Sequence, residues 1–443
     1  MKKLLAIFLV LFAFTILMAE TIEVPITINK TTQSLVPFKI SMNKILDLVG
    51  TDFDANWDSI RFVDENGAEV PYQVDDVDLN GKLSSGDYIL LLLPGNVTMK
   101  VSDDFSIEAP EYDAALTVSN TDEGVTVSTL TFKARINNKG LVKVEKFESV
   151  EGTIVDEIGI ARVAGWVGST YYIDGELGKH EEKTTGDFKV IDMKVLPAGP
   201  VAVTVVSKLD CVPFVGMEQI IVTSIFKTGD IISSSHFVFK TYTDLMKLQN
   251  MITRPITDLA DDAVHMLPVF RRLVWADQLN ITPREYWAER NAIMNVNGVP
   301  YIVFPATDSM KPLWWGATYI FASEESWRSN YSPSKGIGVA EINPVKPIVY
   351  VNYAKWVNGN TWVYESREFR DGIFKWIPGE FEVYESTAGN VSTEMKDWPA
   401  RFKAGDEVVF DRYYDVYKSM SIPNAIEYLE LRTAEIQSIA VGE

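Results

Sequence analysis

Residues 75–87, with the sequence DDVDLNGKLSSGD, gather carboxylate and amide oxygens around one Asn-Gly step. Their spacing follows the calcium-loop pattern D-x-[DN]-x-[DN]-G with an acidic residue at the twelfth place. Calcium binds about six to eight oxygens, and glycine at the sixth place lets the backbone reverse so that alternate side chains converge. The pattern predicts a structural calcium site with the ligands Asp76, Asp78, Asn80, Lys82 (through its backbone carbonyl) and Asp87.

The segments on either side of this loop have strand patterns, which argues against the paired helices of an EF-hand. Asp87 is also shorter than the glutamate that usually closes such a loop. A second interpretation is therefore a β-hairpin tip, in which Asn80 and Gly81 form the turn and the aspartates are solvated. Mutual repulsion of the aspartates around one tight turn favours the cation.

His265 precedes two adjacent arginines, and an aromatic pair follows after a short loop. A lyase that removes a proton beside a uronate carboxylate needs a base, a cation for the carboxylate and an acid for the leaving oxygen. His265, Arg271 or Arg272, and Tyr286 are candidates for these three roles. The alternative is that the arginines form ion pairs with nearby acids such as Asp277.

Ten of the eleven tryptophans lie after residue 160. Aromatic faces stack on sugar rings, and adjacent residues of a strand point to opposite faces of a sheet, so one of Trp314 and Trp315 would face outward. These two and Trp327 are the candidate sugar-binding residues. Core filling is the alternative role for most tryptophans of the chain.

The first residues, MKKLLAIFLVLFAFTILMAE, combine two lysines, an apolar run and a small residue at position 19. This is the pattern of a secretory signal peptide, residues 1–19, which predicts a protein that is periplasmic, extracellular or associated with the cell envelope. Leu17 is bulky for the position three residues before the cleavage point, so retention of the segment as an anchor stays open. No later segment has the run of about 20 apolar residues that a membrane span needs.

The elements that must position these residues are mostly strands, because apolar residues alternate with period two between turn residues. We predict an all-β fold: a small N-terminal β-sandwich over residues 20–105, then a large antiparallel two-sheet supersandwich over residues 114–443 with a few short helices. Helical patterns cover residues 244–248, part of 256–272, 283–293, where Glu285 caps the N-terminus, and 423–438.

The formal net charge of −20 makes nucleic acid an improbable partner, because a binder must neutralise phosphates with a basic face. Acidic polysaccharides would meet the same repulsion unless a local cationic pocket or a bound cation offset it. Cys211 is the single cysteine, so an intrachain disulfide is excluded.

Three segments support a resemblance to a known family. VPYQVDDVDLNGKLSSGDYILLLL resembles a segment of secreted carbohydrate-active proteins, and residues 196–239 are similar to the hairpins of the galactose-mutarotase-like supersandwich of exo-acting rhamnogalacturonan lyases. FKAGDEVVFDRYYDVY resembles the closing strand of that domain. The resemblance implies this fold and a carbohydrate context, while no catalytic motif of those families transfers residue by residue.

The sequence thus predicts an exported protein that binds or processes carbohydrate, with a polysaccharide lyase acting on acidic glycans as its specific form. The alternative is a non-catalytic component of the cell envelope or surface. Its supporting feature is the small number of candidate catalytic groups, with only three histidines in the chain.

Overall fold

The computed structural model describes residues 19–158, 164–165, 181–182, 188–211, 217–240, 243–245, 249–251, 259–268, 272–273, 282–306, 318–323, 326–345, 360–370, 373–386 and 400–442. The chain forms two compact units. The second unit comprises Thr31–Gln33 and Ala114–Gln437, and the rest of the described chain belongs to the first.

Strands dominate the described residues, and they follow one another in this order: β1 Thr21–Thr27, β2 Val36–Ser41, β3 Asn56–Asp64, β4 Tyr72–Asp75, β5 Tyr88–Leu93, β6 Val97–Ser102, β7 Thr117–Thr121, β8 Gly124–Ser128, β9 Phe132–Asn137, β10 Val142–Phe147, β11 Val150–Ile158, β12 Ala164–Gly165, β13 Glu181–Glu182, β14 Phe188–Val195, β15 Ala202–Cys211, β16 Met217–Phe226, β17 Ile231–Phe239, β18 Thr243–Leu245, β19 Gln249–Met251, β20 Val264–Pro268, β21 Arg272–Leu273, β22 Ile293–Val296, β23 Val299–Pro305, β24 Thr318–Ser323, β25 Trp327–Ser332, β26 Ile337–Ile342, β27 Asn360–Arg370, β28 Ile373–Ser386, β29 Ala400–Phe402, β30 Glu407–Lys418 and β31 Ala440–Val441. The helices in the same part of the chain are α1 Met42–Val49, α2 Pro283–Glu289 and α3 Ile422–Gln437.

The first unit contains a four-stranded sheet, in the order β3-β6-β1-β31, and a three-stranded sheet, in the order β2-β5-β4. Strand β5 has the sequence YILLLL and is buried from its second residue onward, which suits the centre of a sheet. The short strand β31 pairs with β1 and places Val441 opposite Ile26. Residues from near both ends of the described chain therefore share one sheet.

Helix α1 lies between β2 and β3. The Ser41 side chain caps it by accepting the Lys44 backbone N–H at 3.3 Å, and the helix ends at Gly50, whose φ of 85° favours glycine. Its buried residues are Met42, Ile45 and Val49, which recur with the spacing of one helix face.

The second unit contains a ten-stranded sheet, in the order β14-β15-β16-β17-β30-β26-β25-β20-β23-β22, and two five-stranded sheets, in the orders β11-β10-β9-β8-β7 and β19-β28-β27-β24-β21. Two two-stranded pairs, β12 with β13 and β18 with β29, complete the described sheets. Every pairing in these sheets is antiparallel. The predicted all-β class with antiparallel sheets and few helices is confirmed.

The apolar core of the second unit joins side chains of the β7–β11 sheet to side chains of the ten-stranded sheet. Val127, Ala134 and Val144 contribute from the former, and Val205 and Ile231 from the latter. Along β9 every second residue is buried, as the period-two pattern predicts. Full burial of each large apolar side chain stabilises the fold by about 1.5–3 kcal/mol.

The hairpins predicted within residues 196–239 are present as β15, β16 and β17. Ala202 lies opposite Phe226, and Met217 lies opposite Phe239. Strand β30, which carries most of the segment FKAGDEVVFDRYYDVY, pairs with β17 on one side and β26 on the other. These strands occupy the second to fifth places in the ten-stranded sheet.

The predicted helices had different outcomes. The helix near the end of the chain is confirmed as α3. The helix after Thr282 is confirmed as α2 over Pro283–Glu289, with its capping box between Thr282 and Glu285, but its predicted extension is wrong at Ile293, which begins β22. The helical prediction for residues 256–272 is wrong over Val264–Pro268, which is strand β20, and that for 244–248 is wrong at Asp244 and Leu245 in β18. No described helix is both long and apolar enough to cross a bilayer.

Candidate functional site

The acidic loop connects β4 to β5 in the first unit. These strands pair antiparallel, with Asp75 opposite Tyr88 and Tyr72 opposite Leu91. The loop is therefore the connection of a β-hairpin, flanked by strands as the sequence predicts. Its residues lie between a buried strand end at Asp75 and a buried carboxylate at Asp87.

The first half of the loop folds around the carboxylate of Asp76. Its oxygens accept the backbone N–H of Asn80 at 3.1 Å and of Gly81 at 2.7 Å. Leu79 and Gly81 have positive φ angles of 58° and 71°, so the chain reverses within a few residues. Asp78 accepts the Asn80 side-chain N–H at 2.7 Å.

The second half of the loop is fastened by Asp87, which is fully buried. Its side chain accepts the backbone N–H of Val77 at 2.9 Å, the backbone N–H of Ser84 at 2.6 Å and the Ser84 hydroxyl at 2.9 Å. Its backbone carbonyl accepts the N–H of Met42 at 2.8 Å. The short aspartate at the twelfth place therefore reaches back across the loop.

The carboxylates of Asp76, Asp78 and Asp87 converge, and one oxygen of each lies within 4.8 Å of the others. Burial opposes ionisation of Asp76, but the N–H groups of Gly81 and Asn80 outweigh it and hold the Asp76 pKa below its usual range. Ionised carboxylates at this separation repel one another, and a divalent cation removes that repulsion.

The other two predicted ligands are exposed. The Asn80 side-chain oxygen accepts the Lys82 backbone N–H at 2.7 Å and keeps one lone pair for a ligand. Each carboxylate also retains acceptor capacity beyond its backbone bonds. This oxygen-only donor set suits calcium or magnesium rather than a soft transition metal.

His265 lies on β20, opposite Asn330 on β25 and Phe304 on β23. Its ring centroid is 5.2 Å from that of Phe304. Burial and then the charge of Arg328 lower the His265 pKa to about 3, while the hydrogen bond with Asn330 acts in the opposite direction. The imidazole is therefore neutral at neutral pH.

Arg328, Glu341 and Arg412 form a buried ionic cluster across three adjacent strands of the same sheet. Arg328 lies directly opposite Glu341, and its Nε donates to Glu341 Oε2 at 3.0 Å. Arg412 Nε is 3.0 Å from Glu341 Oε1. The two arginines are only 7% and 3% exposed, so the same carboxylate contacts two desolvated guanidinium groups.

Sequence reasoning missed these three residues. Arg328 and Glu341 are charged residues within strands that are otherwise almost fully buried, and Arg412 begins the buried part of β30. The pairing register that joins β25, β26 and β30 could not be read from the chain.

The remaining predicted residues have separate outcomes. Arg271, Trp314 and Trp315 lie outside the described residues, while Arg272 lies in β21 and Tyr286 in α2, where the backbone alone is described.

Trp327 is a core residue in β25. It is 1% exposed, its Nε1 donates to Glu430 at 2.9 Å, and its ring stacks on Tyr301 with centroids 6.2 Å apart. In this position the indole faces are covered by protein, and packing accounts for the residue.

No protein-family model matches the chain, and no curated protein sequence matches it. Among solved structures, the chain is similar to an α-mannosidase from Enterococcus faecalis V583, with a TM-score of 0.46 and 10% identity over 96% of this chain. It spans 46% of the length of that protein. A GalM/aldose epimerase homologue from C. elegans has a TM-score of 0.35 and 11% identity over 69% of this chain and 100% of its own. Galactose 1-epimerase from Lactobacillus acidophilus NCFM has a TM-score of 0.31, with 8% identity over 69% of this chain and 100% of its own. At these TM-scores, we base no assignment on the likenesses.

Proposed function

We propose that this protein is exported and binds or processes carbohydrate, acting as a lyase on acidic glycans. The observation that carries the proposal is His265, a neutral imidazole on the strand next to the one that carries Arg328. A base beside a guanidinium group is the combination that proton removal next to a carboxylate requires.

The proposed step is a β-elimination. The unprotonated ring nitrogen of His265 accepts the proton from the carbon next to the uronate carboxylate, and the C–H electrons form a new carbon–carbon double bond. The glycosidic carbon–oxygen bond breaks, and the leaving oxygen takes a proton from an acid, for which Tyr286 is the sequence-based candidate. Arg328 stabilises the negative charge that builds up on the carboxylate.

A substrate carboxylate would also strengthen the base. The charge of Arg328 contributes to the low pKa of free His265. A bound anion beside the guanidinium group offsets that charge, so the His265 pKa rises on binding. We therefore expect the imidazole to become a better proton acceptor in the complex than in the free protein.

The test is incubation of the purified protein with a panel of uronate polymers while the ultraviolet absorbance of the unsaturated product is followed. We expect His265→Gln to lose product formation and His236→Gln, the matched control on β17 of the same sheet, to retain it. Absence of product on every polymer, with retained glycan affinity, would leave binding as the function.

A calcium ion in the acidic loop is part of the proposal. The convergence of Asp76, Asp78 and Asp87 within 4.8 Å supports it. The ion would be structural, because the loop connects two paired strands of the first unit.

The competing function is that of a non-catalytic component of the cell envelope. The observation that favours it is the internal balance of the ionic cluster, since both arginines bond to Glu341 and all three side chains are nearly buried. Export itself is tested by N-terminal sequencing of the protein recovered from cell fractions, where a mature chain that begins at Glu20 is expected.

A further inference from the structure

Arg432 on α3 reaches two buried carboxylates at the ten-stranded sheet. It is 1% exposed, and its Nη2 donates to Asp230 Oδ1 at 2.9 Å, while its Nε lies 3.6 Å from Asp415 Oδ2. Asp230 immediately precedes β17 and Asp415 lies on β30, and these two strands pair with each other. The guanidinium group therefore links the helix to two neighbouring strands of the sheet.

The two carboxylates receive different sets of donors. Asp230 accepts the direct bond from Arg432 and the Thr228 hydroxyl at 2.5 Å. Asp415 accepts the Tyr428 hydroxyl at 2.7 Å, but the Arg432 Nε at 3.6 Å is beyond ordinary hydrogen-bond distance. Both carboxylate side chains are buried. Asp415 is consequently the less well stabilised anion of the two.

The surroundings of Asp415 oppose its negative charge more strongly than they support it. Burial and then the charge of Asp230 raise its pKa, whereas the charge of Arg432 and the hydrogen bond from Tyr428 lower it. The result is a pKa of about 6 for the Asp415 carboxyl. Burial and then the charge of Asp415 raise the Tyr428 pKa well above its usual value, so the phenol keeps its proton and remains a donor.

Along the sheet, Asp415 has uncharged neighbours. Tyr413 and Tyr417 share its face of β30, and Ala340 lies opposite it on β26. Burial raises the pKa of both phenols, so these tyrosines stay neutral over the physiological range. The charges that act on Asp415 in the described chain are thus those of the turn before β17 and of α3.

We propose that the contact between α3 and the sheet is a proton-operated latch, in which Asp415 takes up a proton in a mildly acidic medium and α3 is then held more tightly. The proton binds a carboxylate oxygen of Asp415 and removes its repulsion with Asp230. A neutral carboxyl group keeps an acceptor oxygen for Tyr428, and Arg432 keeps its bond to Asp230, so both hydrogen bonds persist. This inference does not depend on the proposed carbohydrate function.

The direction of the pH dependence follows from the two pKa values of Asp415. Its ordinary pKa is 3.8 and its folded pKa is about 6, so the folded state binds more protons between these values. Its contribution to the free energy of unfolding is fully present below about pH 3.8 and is lost as the pH rises through 6. The effect is opposite in sign to that of His265, whose pKa is lowered.

The direct test is an infrared titration of the full native chain and of Asp415→Asn between about pH 8 and about pH 4.5. The difference between the two sets of spectra isolates the carboxyl group of Asp415. We expect its protonated C=O band to appear as the pH falls through about 6. A band that appears only near pH 4, as for an ordinary exposed aspartate, would overturn the proposal.

Thermal unfolding measures whether the proton strengthens the structure. Asp415→Asn carries no charge at this position at any pH, so we expect its Tm to lie several degrees above that of the native chain at about pH 8. This excess should shrink by more than half at about pH 4.5, because the native chain has then taken up its proton. His265 is common to both chains, so the difference in Tm cancels its contribution.

The matched control for this comparison is Asp192→Asn, which changes an exposed acid on β14 of the same sheet. Its difference in Tm from the native chain should stay nearly constant over the same pH range. An excess in Tm of Asp415→Asn that is absent at about pH 8, or that does not shrink on acidification, would refute the latch.

Tyr428→Phe tests the same contact without changing a charge, and it serves if Asp415→Asn does not fold. The hydrogen bond from Tyr428 lowers the Asp415 pKa, so its loss should move the first protonated-carboxyl band of the infrared titration to higher pH. Tyr331→Phe removes a hydroxyl that donates to a backbone carbonyl, and as the matched control it should leave the band in place. An unmoved band in Tyr428→Phe would show that the titrating carboxyl lies elsewhere and would contradict the proposal.

Discussion

The carboxylate of Asp87 accepts the backbone N–H of Val77 at 2.9 Å, so the end of the acidic loop is bonded to its beginning. This closure draws Asp87 towards Asp76 and Asp78. Backbone hydrogen bonds therefore keep the carboxylates of the hairpin connection together. The repulsion between these carboxylates lowers the stability of the first unit.

Calcium should stabilise the protein through this loop. A ligand that binds only the folded state at about 100 times its Kd adds about 2.7 kcal/mol, which corresponds to a rise of several degrees in Tm. We expect this rise on addition of calcium to the native chain and its loss in Asp76→Ala. Asp47→Ala, an exposed acid of the same unit, is the control and should keep the rise. A melting curve of the native chain that calcium leaves unchanged would refute the site.

His265 should make stability depend on pH in the acid range. Its folded pKa of about 3 lies below the ordinary value near 6.5, so the unfolded state binds more protons between these values. Above about pH 6.5 this histidine leaves the free energy of unfolding at its full value. That free energy falls as the pH drops towards 3. We expect His265→Gln to flatten the loss of Tm between pH 6.5 and pH 4. His236→Gln is the control, and identical pH profiles for the native chain and His265→Gln would contradict the assignment.

Glu341 should be more important for stability than any exposed ion pair. Its replacement by glutamine removes a carboxylate that contacts both buried guanidinium groups, which costs about 3–5 kcal/mol. Urea unfolding followed by tryptophan fluorescence measures this loss. Glu23→Gln breaks the exposed pair with Lys100 and should cost less than about 1 kcal/mol. Equal effects of the two substitutions would mean that the cluster is better hydrated than its exposure indicates.

Gly338 should not tolerate a side chain. A Cβ built there lies 2.1 Å from Cζ of Tyr417, whose hydroxyl is 2.8 Å from Ser329 Oγ. We expect Gly338→Ala to destabilise the second unit by about 1–3 kcal/mol through overpacking. Gly95→Ala, where nothing lies within 4 Å, is the control. Partial recovery in the double variant Gly338→Ala with Tyr417→Leu would assign the loss to this contact.

The parts of the fold that follow local periodicity could be predicted from the sequence. In β15, β16 and β17, apolar residues alternate with polar ones or form continuous apolar segments. Helix α2 begins with a capping box. Local sequence signals and tertiary structure therefore agree in these elements. The acidic loop could also be predicted, because its converging carboxylates lie within one short segment.

Other parts depend on partners far away in the sequence. Val264–Pro268 resembles a helical segment in composition, but pairing with β23 and β25 makes it a strand. The cluster of Arg328, Glu341 and Arg412 requires the register of three strands, and helix α1 is too short for a reliable periodic signal. The structure of these parts therefore depends on pairing between strands that are far apart in the sequence, which local sequence patterns do not show.

The pairing of Ile26 with Val441 has a consequence for biosynthesis. While the chain emerges from the ribosome, β1 has an open hydrogen-bonding edge until β31 has been made, and an open edge favours pairing with other chains. Closing a sheet across such a sequence separation is also slow. A polypeptide of this design would benefit from a chaperone that shields β1 during synthesis, and a premature stop codon just before Ala440 would expose that edge permanently.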